Sequence, residues 1–420
     1  MSGSPGTPSR QDQAKVQDAF GDEEFAEVKY KVLKWWQCGV LMVAQTVSLG
    51  VLSLPAAVAS LGLVPAMIAL VLLGMLATYT GYVIGQFKWR YPQVCNMADA
   101  GEVIAGRIGR EVLGVDQVLF LVFIMASHLL TFIIAINAIT GHGACSIVFG
   151  VIGLIISFVC SLPRTLVKMS WLSYVSFASI LSAVVITMFG VGFLHPGKGV
   201  EATVPTDLIH GFGAVTNIVF AFSGHVAFFG LAAELKDTHD FTKALCLLQG
   251  FDISLYMIAA VVIYRYGGAE VASPALSSAS PMVSKVAYGI ALPTIIIAGV
   301  INGHVAFKYI YLRVFSGTDR IHKRDWIAIG SWVGIALGLW LLAWIIAEAI
   351  PVFSNLLGLV TALFASWFTF DFSGKVALTM LNILSFIVAA CLCGLGLYVS
   401  GKAIHDHPSS MSFSCADNST

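Results

Sequence analysis

Charge is scarce in this chain. Asp, Glu, Lys and Arg together make up 11% of its 420 residues, while 58% are hydrophobic. A soluble globular domain carries about 25% charged and about 45–50% apolar residues, so this inventory does not furnish a water-facing exterior. Polar low-complexity tracts and a glycine period are missing, which excludes a disordered or collagen-like chain. The eight cysteines, at positions 38, 95, 145, 160, 246, 391, 393 and 415, are scattered and mostly inside apolar stretches. They have neither metal-ligand spacing nor the density of a disulfide-stapled secreted domain, and are expected to be small lipid-facing or core residues. Cys391-Leu392-Cys393 lacks the two-residue gap of a redox motif. Nor is there an excess of positive charge: 23 Lys and Arg balance 23 Asp and Glu, so no nucleic-acid partner is implied. No cofactor or metal site is expected.

What is abundant is the long apolar run. A spanning helix needs about 20 apolar residues, and that ruler finds eleven, at 35–59, 63–87, 113–140, 143–162, 170–194, 211–233, 243–266, 284–312, 326–347, 350–370 and 376–399. The fold class expected is therefore an all-α polytopic membrane protein, with the lipid bilayer as its solvent. Residues 1–33 are polar and acid-rich and have no signal-peptide core, so they are expected to remain as an N-terminal tail, followed by a transmembrane domain over 34–400 and a short tail over 401–420. With the N-terminus in the cytoplasm, 19 of the 23 basic side chains fall on the inner side, leaving Lys198, Arg265, Lys285 and Lys402 outside. That asymmetry orients the chain. The C-terminus is then expected outside, where Asn418-Ser419-Thr420 matches a glycosylation acceptor. Met97, Ala100, Ile104 and Ile108 recur at helical spacing before the third span and read as an interfacial amphipathic helix.

Two spans hold residues that a plain anchor does not need. Ser48-Leu49-Gly50-Val51-Leu52-Ser53-Leu54-Pro55 puts glycine, serines and proline inside the first, and Phe220-Ala221-Phe222-Ser223-Gly224-His225 weakens the sixth. Both are expected to unwind. Backbone groups freed in hydrocarbon cost several kcal/mol each unless they line a protein-walled cavity or meet a ligand. Spans one and six are corresponding members of two five-helix sets, the arrangement of inverted-repeat transporters with a midplane site. Freed N–H groups suit a carboxylate and freed C=O groups an ammonium, so an α-amino acid satisfies both. The apolar side chains around the breaks favour an uncharged substrate side chain. Thr46, Ser48, Leu49, Gly50, Val51, Phe220, Phe222, Ser223, Gly224 and, in span eight, Asn302 are the candidate substrate contacts. Ionisable groups at membrane depth are costly and mark ion pathways. Of these, His225 and His304 are the candidate proton carriers, because imidazole titrates near physiological pH. His128 and Asp252 are expected to serve packing or a salt bridge. Glu234-Leu235-Lys236-Asp237 is expected at a solvated inner helix end, with Lys236 or Lys243 as partners.

At these residues the chain resembles the amino acid/auxin permeases, within the amino acid, polyamine and organocation superfamily, and most of all the fungal neutral amino acid permeases. The resemblance runs from about 20 to 404 and is carried by Lys34-Trp35-Trp36-Gln37, the Ser48 to Pro55 stretch, Ala77-Thr78-Tyr79-Thr80-Gly81-Tyr82, and Phe220 to His225 with Glu234-Leu235-Lys236-Asp237. It implies a leucine-transporter-type fold of two inverted five-helix repeats plus one helix. Substrate would sit between helices one and six, with alternating access and a proton rather than sodium as the coupled ion. The chain departs from the family in having Ala44 and Ser48 where Asn and Gly are common, and in a short connection around Phe370 to Lys375. A membrane enzyme would need an acid–base pair, a nucleophile or a metal set, and the histidines instead occupy separate spans. A channel would need a charged ring or filter, which is not legible. An amino acid sensor and a sodium-coupled or vacuolar transporter share the fold. The expectation is a plasma-membrane importer of neutral amino acids.

Overall fold

The computed structural model describes residues 31–164, 166–194, 200–316, 318, 325–365, 379–406 and 412–418. In hydrocarbon a backbone must satisfy its own hydrogen bonds, and the apolar runs accordingly fold as helices. These are α1 (Trp35–Leu61), α2 (Leu63–Arg90), α3 (Met97–Thr140), α4 (Ser146–Cys160), α5 (Leu166–Leu194), α6 (Leu208–Ala221), α7 (Phe228–Ala233), α8 (Phe241–Gly267), α9 (Pro281–Val314), α10 (Trp326–Ala349), α11 (Phe353–Val360) and α12 (Thr379–Asp406). Among the described residues nine helical segments are long and apolar enough to cross a membrane, α6 and α7 together counting as one, and the shorter Ser146–Cys160 and Phe353–Ala365 stand where the fourth and tenth spans are expected. The last five residues of that tenth segment, Thr361–Ala365, form a π-helical turn. The helix α12 runs beyond 400 into the expected tail. The connection around Phe370 to Lys375 lies outside the described residues, as do Ser419 and Thr420.

Helix starts follow the sequence. Asn96, Asp207, Ser280 and Asp325 each accept a backbone N–H of the first turn of α3, α6, α9 and α10, respectively, so an orphan donor at each start is satisfied. The expected amphipathic helix is the opening of α3, which bends at Ala105 and Gly106, where Gly106 takes φ 62°. Its predicted stripe divides before that bend: Met97 and Ala100 are buried, whereas Ile104 and Ile108 are 62% and 77% exposed.

The first span does not unwind. The helix α1 is continuous from Trp35 to Leu61 with Pro55 inside it, and Ser53 Oγ donates to Gly50 O at 2.9 Å. The small residue serves close packing instead: a Cβ on Gly50 would stand 2.8 Å from Ala221 Cα and 3.0 Å from both Ala221 Cβ and the Tyr256 hydroxyl. The sixth span does break. Its first half, α6, ends at Ala221, a 3-10 turn covers Gly224–Ala227, and α7 resumes at Phe228.

The cysteines need a second correction. Cys145, in the loop between α3 and α4, is joined to Cys415 of the C-terminal tail by a disulfide. Both lie beyond the apolar runs at the same end of the bundle, 270 residues apart in sequence, so neither spacing nor density announced the pair. Around this bond the tail is pinned as a strap. Phe413 N donates to Glu348 O at 3.1 Å, Ser146 Oγ to Ala416 O at 2.6 Å, and Asn137 Nδ2 to Asn418 Oδ1 at 2.8 Å.

Candidate functional site

Where α6 stops, its last carbonyls need partners. Ser223 Oγ donates to Phe220 O at 2.6 Å, and the Tyr256 hydroxyl of α8 donates to Ala221 O at 2.9 Å and to Thr46 O at 3.3 Å. The break is thus held open by hydroxyls rather than by helix. Beside it lies a cavity lined by Gln45, Thr46, Leu49, Ile124, His128, Phe220, Ser223, Gly224 and Asn302. Its volume of about 20 Å³ is room for about one water, which needs about 10–15 Å³ by this measure. The chamber is therefore closed down and has to widen around any amino acid. Its polar wall is built from an amide pair: Gln45 Nε2 donates to Asn302 Oδ1 at 2.9 Å, and Asn302 Nδ2 to Ala298 O at 2.9 Å. Gln45 Oε1 is buried with no hydrogen-bond partner among the described residues. Such an acceptor costs about 1–3 kcal/mol while unsatisfied, and it is suited to an ammonium.

Six of the expected substrate contacts, Thr46, Leu49, Phe220, Ser223, Gly224 and Asn302, meet at this cavity. Ser48, Gly50, Val51 and Phe222 do not line it. Gly50 forms the crossing with Ala221, Phe222 packs edge-on against Tyr256, Val51 is buried, and the buried Ser48 hydroxyl has no partner among the described residues. The expected proton carriers are held elsewhere. His225 Nε2 lies 2.8 Å from Ala77 O and 3.1 Å from Thr80 Oγ1 on α2. Because a carbonyl only accepts, that nitrogen carries the hydrogen. His304 Nε2 likewise donates to Pro163 O at 2.9 Å, and the ring lines a second chamber, of about 30 Å³, with Gln117, Glu234 and Lys308.

Sequence reasoning missed Gln45, Ile124 and His128 as wall residues. Gln45 sits one residue from Thr46, an amide in an otherwise apolar run, and that was a usable signal. His128 and Asp252 were assigned to packing or a salt bridge, and neither has an ion-pair partner among the described residues. His128 Nδ1 donates to Ile295 O at 2.9 Å while the ring lines the cavity. Asp252 Oδ2 accepts from Thr46 Oγ1 at 3.0 Å.

The two ends of the bundle differ. At the end bearing the N-terminus, Val32 N and Leu33 N donate to Glu234 O at 3.1 and 3.0 Å, and Lys236 N to Leu33 O at 2.9 Å. Trp36 stacks on Tyr174. Glu234 is not at a solvated helix end as expected; it is buried and paired with Lys308 of α9, while Lys243 pairs with Asp240. The carboxylate lies at the start of the turn after α7, and the backbone of that turn pairs with the Leu33 segment. The opposite end is open: a vestibule of about 610 Å³ is lined by Ala56, Ala57 and Ser60 of α1, Gly213, Thr216 and Asn217 of α6, Ser354 and Asn355 of α11, and Val399 and Ser400 of α12. Asp207 and His210 stand on its wall, 2.5 Å apart, and this contact with the His210 ring and backbone N–H holds the Asp207 carboxyl below the usual carboxylate range. Gly213, Asn217, Phe220 and Gly224 succeed one another at helical spacing, so one face of the sixth span lines both vestibule and central cavity.

The fold is that of known transporters. Two solved structures align with it: MhsT crystallised with L-phenylalanine (TM-score 0.51, 15% identity, 90% of this chain and 100% of that one), and Mhp1, a nucleobase-cation-symport-1 family transporter in a closed conformation with bromovinylhydantoin bound (TM-score 0.53, 14% identity, 90% and 93%). At that identity they show the leucine-transporter-type fold and nothing finer. The N amino acid transport system protein of Neurospora crassa is 37% identical over 96% of this chain and 92% of its own length. The family model described as "Transmembrane amino acid transporter protein" matches residues 31–386. The chain is an integral membrane protein that belongs to this family, the amino acid/auxin permeases, whose members are transporters and not enzymes.

Proposed function

We propose that this amino acid transporter imports neutral amino acids across the plasma membrane by proton symport, with alternating access. The observation that carries the reading is the central cavity: it abuts the broken sixth span, and no Asp, Glu, Lys or Arg stands on its wall. A zwitterion brings its own two charges, which the unpartnered Gln45 oxygen and the N–H groups opening the Gly224–Ala227 turn can meet. An additional charge on the substrate side chain would find no counter-ion there. Thr46, Leu49, Phe220, Ser223, Gly224 and Asn302 are the substrate contacts in this reading. Import is supported by the shape of the path, open at the vestibule and sealed by the Glu234–Lys308 pair and the Leu33 segment at the other end. The disulfide supports placing the vestibule outside, since such bonds persist in oxidising compartments. Alternating access then consists of α1, α2, α6–α7 and α8 rocking against the remaining helices.

The test is reconstitution of the purified protein in liposomes, with labelled amino acid uptake measured under an imposed proton gradient and, separately, a sodium gradient. Concentrative uptake of neutral amino acids with the proton gradient alone is expected. Uptake driven by sodium alone overturns the coupling, and preference for charged amino acids overturns the substrate class.

A further inference from the structure

A carboxyl group lies buried next to the central cavity. Asp252 of α8 is 1% exposed. Its Oδ2 is 3.0 Å from Thr46 Oγ1, and its Oδ1 has no hydrogen-bond partner among the described residues. Tyr256, one turn along α8, is its titratable neighbour. The helices packed on α8 are α1, α2 and α5, with the 3-10 turns Thr238–Asp240 and Gly268–Glu270 at its two ends, and the end of α6 meets it through Tyr256 and Ala221 O; α1 presents the Thr46 hydroxyl, the turns carry His239, Asp240 and Glu270, and no charged group of these elements acts on the carboxyl among the described residues. An ionised carboxylate without a cation is costly at such a place, and the neutral acid is not.

Thr46 makes that choice felt in the cavity. Its hydroxyl has one hydrogen and three acceptors within reach, Met42 O at 2.9 Å, Asp252 Oδ2 at 3.0 Å and, more distant, Val43 O at 3.5 Å, and the residue forms part of the cavity wall. With Asp252 ionised, the hydrogen is held by Oδ2, because the carboxylate only accepts. With Asp252 protonated, the acid donates to Thr46 Oγ1, and the threonine hydrogen is released toward Met42 O or the cavity.

We propose that the Asp252 carboxyl is the binding site of the transported proton and that Thr46 reports its protonation to the carboxylate of the bound amino acid. This rests on the reading that the transporter is proton-driven. Protonation frees a donor for the substrate carboxylate and removes the negative charge that repels it, so proton and substrate bind cooperatively. The coupling is reciprocal: bound substrate strengthens the hold on the proton by the same factor. The loaded site then carries a zwitterion and a neutral acid, with no net charge to drag through a low-dielectric path. Protonation of His128, the ionisable group on the cavity wall itself, would add a charge there instead. His225 and His304 bond Ala77 O and Pro163 O, away from that wall.

The experiment uses the full-length protein in proteoliposomes with a mixture of radiolabelled neutral L-amino acids. Two quantities are read: accumulation driven by an imposed pH gradient, and counterflow exchange with no gradient. The wild type is expected to do both, its half-saturation in counterflow tightening by about 5–150-fold on acidification, the usual span of coupling between sites. Asp252→Asn, whose amide imitates the protonated acid, is expected to keep counterflow, to lose its pH dependence and to lose accumulation. Asp252→Glu, which can titrate again, is expected to regain a response to the gradient. If Asp252→Asn accumulates substrate like the wild type, the assignment of the proton is overturned while proton coupling stands. If the wild type exchanges amino acid but ignores the pH gradient, the proton-driven reading falls and this inference with it. A wild-type measurement does not depend on any variant folding: dicyclohexylcarbodiimide, which attacks protonated carboxyls in apolar surroundings, is expected to modify Asp252 more when the amino acids are present. Modification of Asp252 that is absent, or that falls with substrate, overturns the proposal.

Discussion

Replacing Gly50 with alanine adds one methyl group at a close crossing between α1 and the broken span. The new Cβ would meet Ala221 Cα at 2.8 Å, Ala221 Cβ at 3.0 Å and the Tyr256 hydroxyl at 3.0 Å, where carbon atoms in contact prefer about 3.5–4.0 Å. Ala221 Cα is backbone and has no rotamer to escape into, so α1 and α6 have to part by somewhat under 1 Å. Overpacking of that kind costs about 1–3 kcal/mol. If the Tyr256 hydroxyl gives way instead, Ala221 O loses its partner at the end of α6, at a further cost of about 1–3 kcal/mol. Each 1.36 kcal/mol that falls on a transport barrier slows it about tenfold, so initial uptake by Gly50→Ala is expected to drop by about 10- to 100-fold. The assay is the initial rate of labelled amino acid uptake per mass of reconstituted protein, alongside thermal melting in detergent. Gly289→Ala is the control, since a Cβ there meets no atom within 4 Å. Wild-type uptake together with an unchanged melting temperature in Gly50→Ala would refute the claim that this crossing shapes the site.

Gly224→Ala would put its Cβ 2.4 Å from Thr46 Cγ2; a raised KM for uptake, with protein still recovered from the membrane, is expected, and an unchanged KM would contradict the placing of Thr46 on the substrate wall. Lys308→Met leaves the buried Glu234 carboxylate without its ion-pair partner and is expected to cost about 3–5 kcal/mol of stability, read as a lower melting temperature, with much of it recovered by adding Glu234→Leu. Cys415→Ser removes the covalent anchor of the tail; a stability loss of about 2–4 kcal/mol is expected by thermal melting, with substrate affinity intact because the bond lies outside the central cavity.

The fold was legible because the bilayer imposes one rule on every span: runs of apolar residues long enough to cross are few in kind and easy to count. The sixth-span break was legible too, since Ser223 and Gly224 weaken a helix locally and their neighbours on the chain suffice to say so. The first span misled. Gly50, Ser53 and Pro55 carry the same local signal, but tertiary packing used Gly50 for contact with Ala221 and kept the helix whole. Partnerships across the bundle were out of reach. Nothing near Glu234 in sequence points to Lys308, 74 positions away, and nothing near Asp252 points to Thr46, 206 positions away. These contacts depend on how α7, α8 and α9 are arranged in space. So, too, does the difference between His128, which reaches the cavity, and His304, which faces another chamber.

The pinned C-terminal tail has a consequence for how the mouth of the vestibule can shut. Its bonds run to the vestibule-side ends of α3, α4 and α10, and the tail itself follows α12, whose Val399 and Ser400 border the opening. In the proposed alternating access, none of these helices belongs to the rocking group. The disulfide therefore clamps one jamb of the doorway to the frame, and under the proposed movement the other jamb, the vestibule-side ends of α1 and α6, has to do all the swinging.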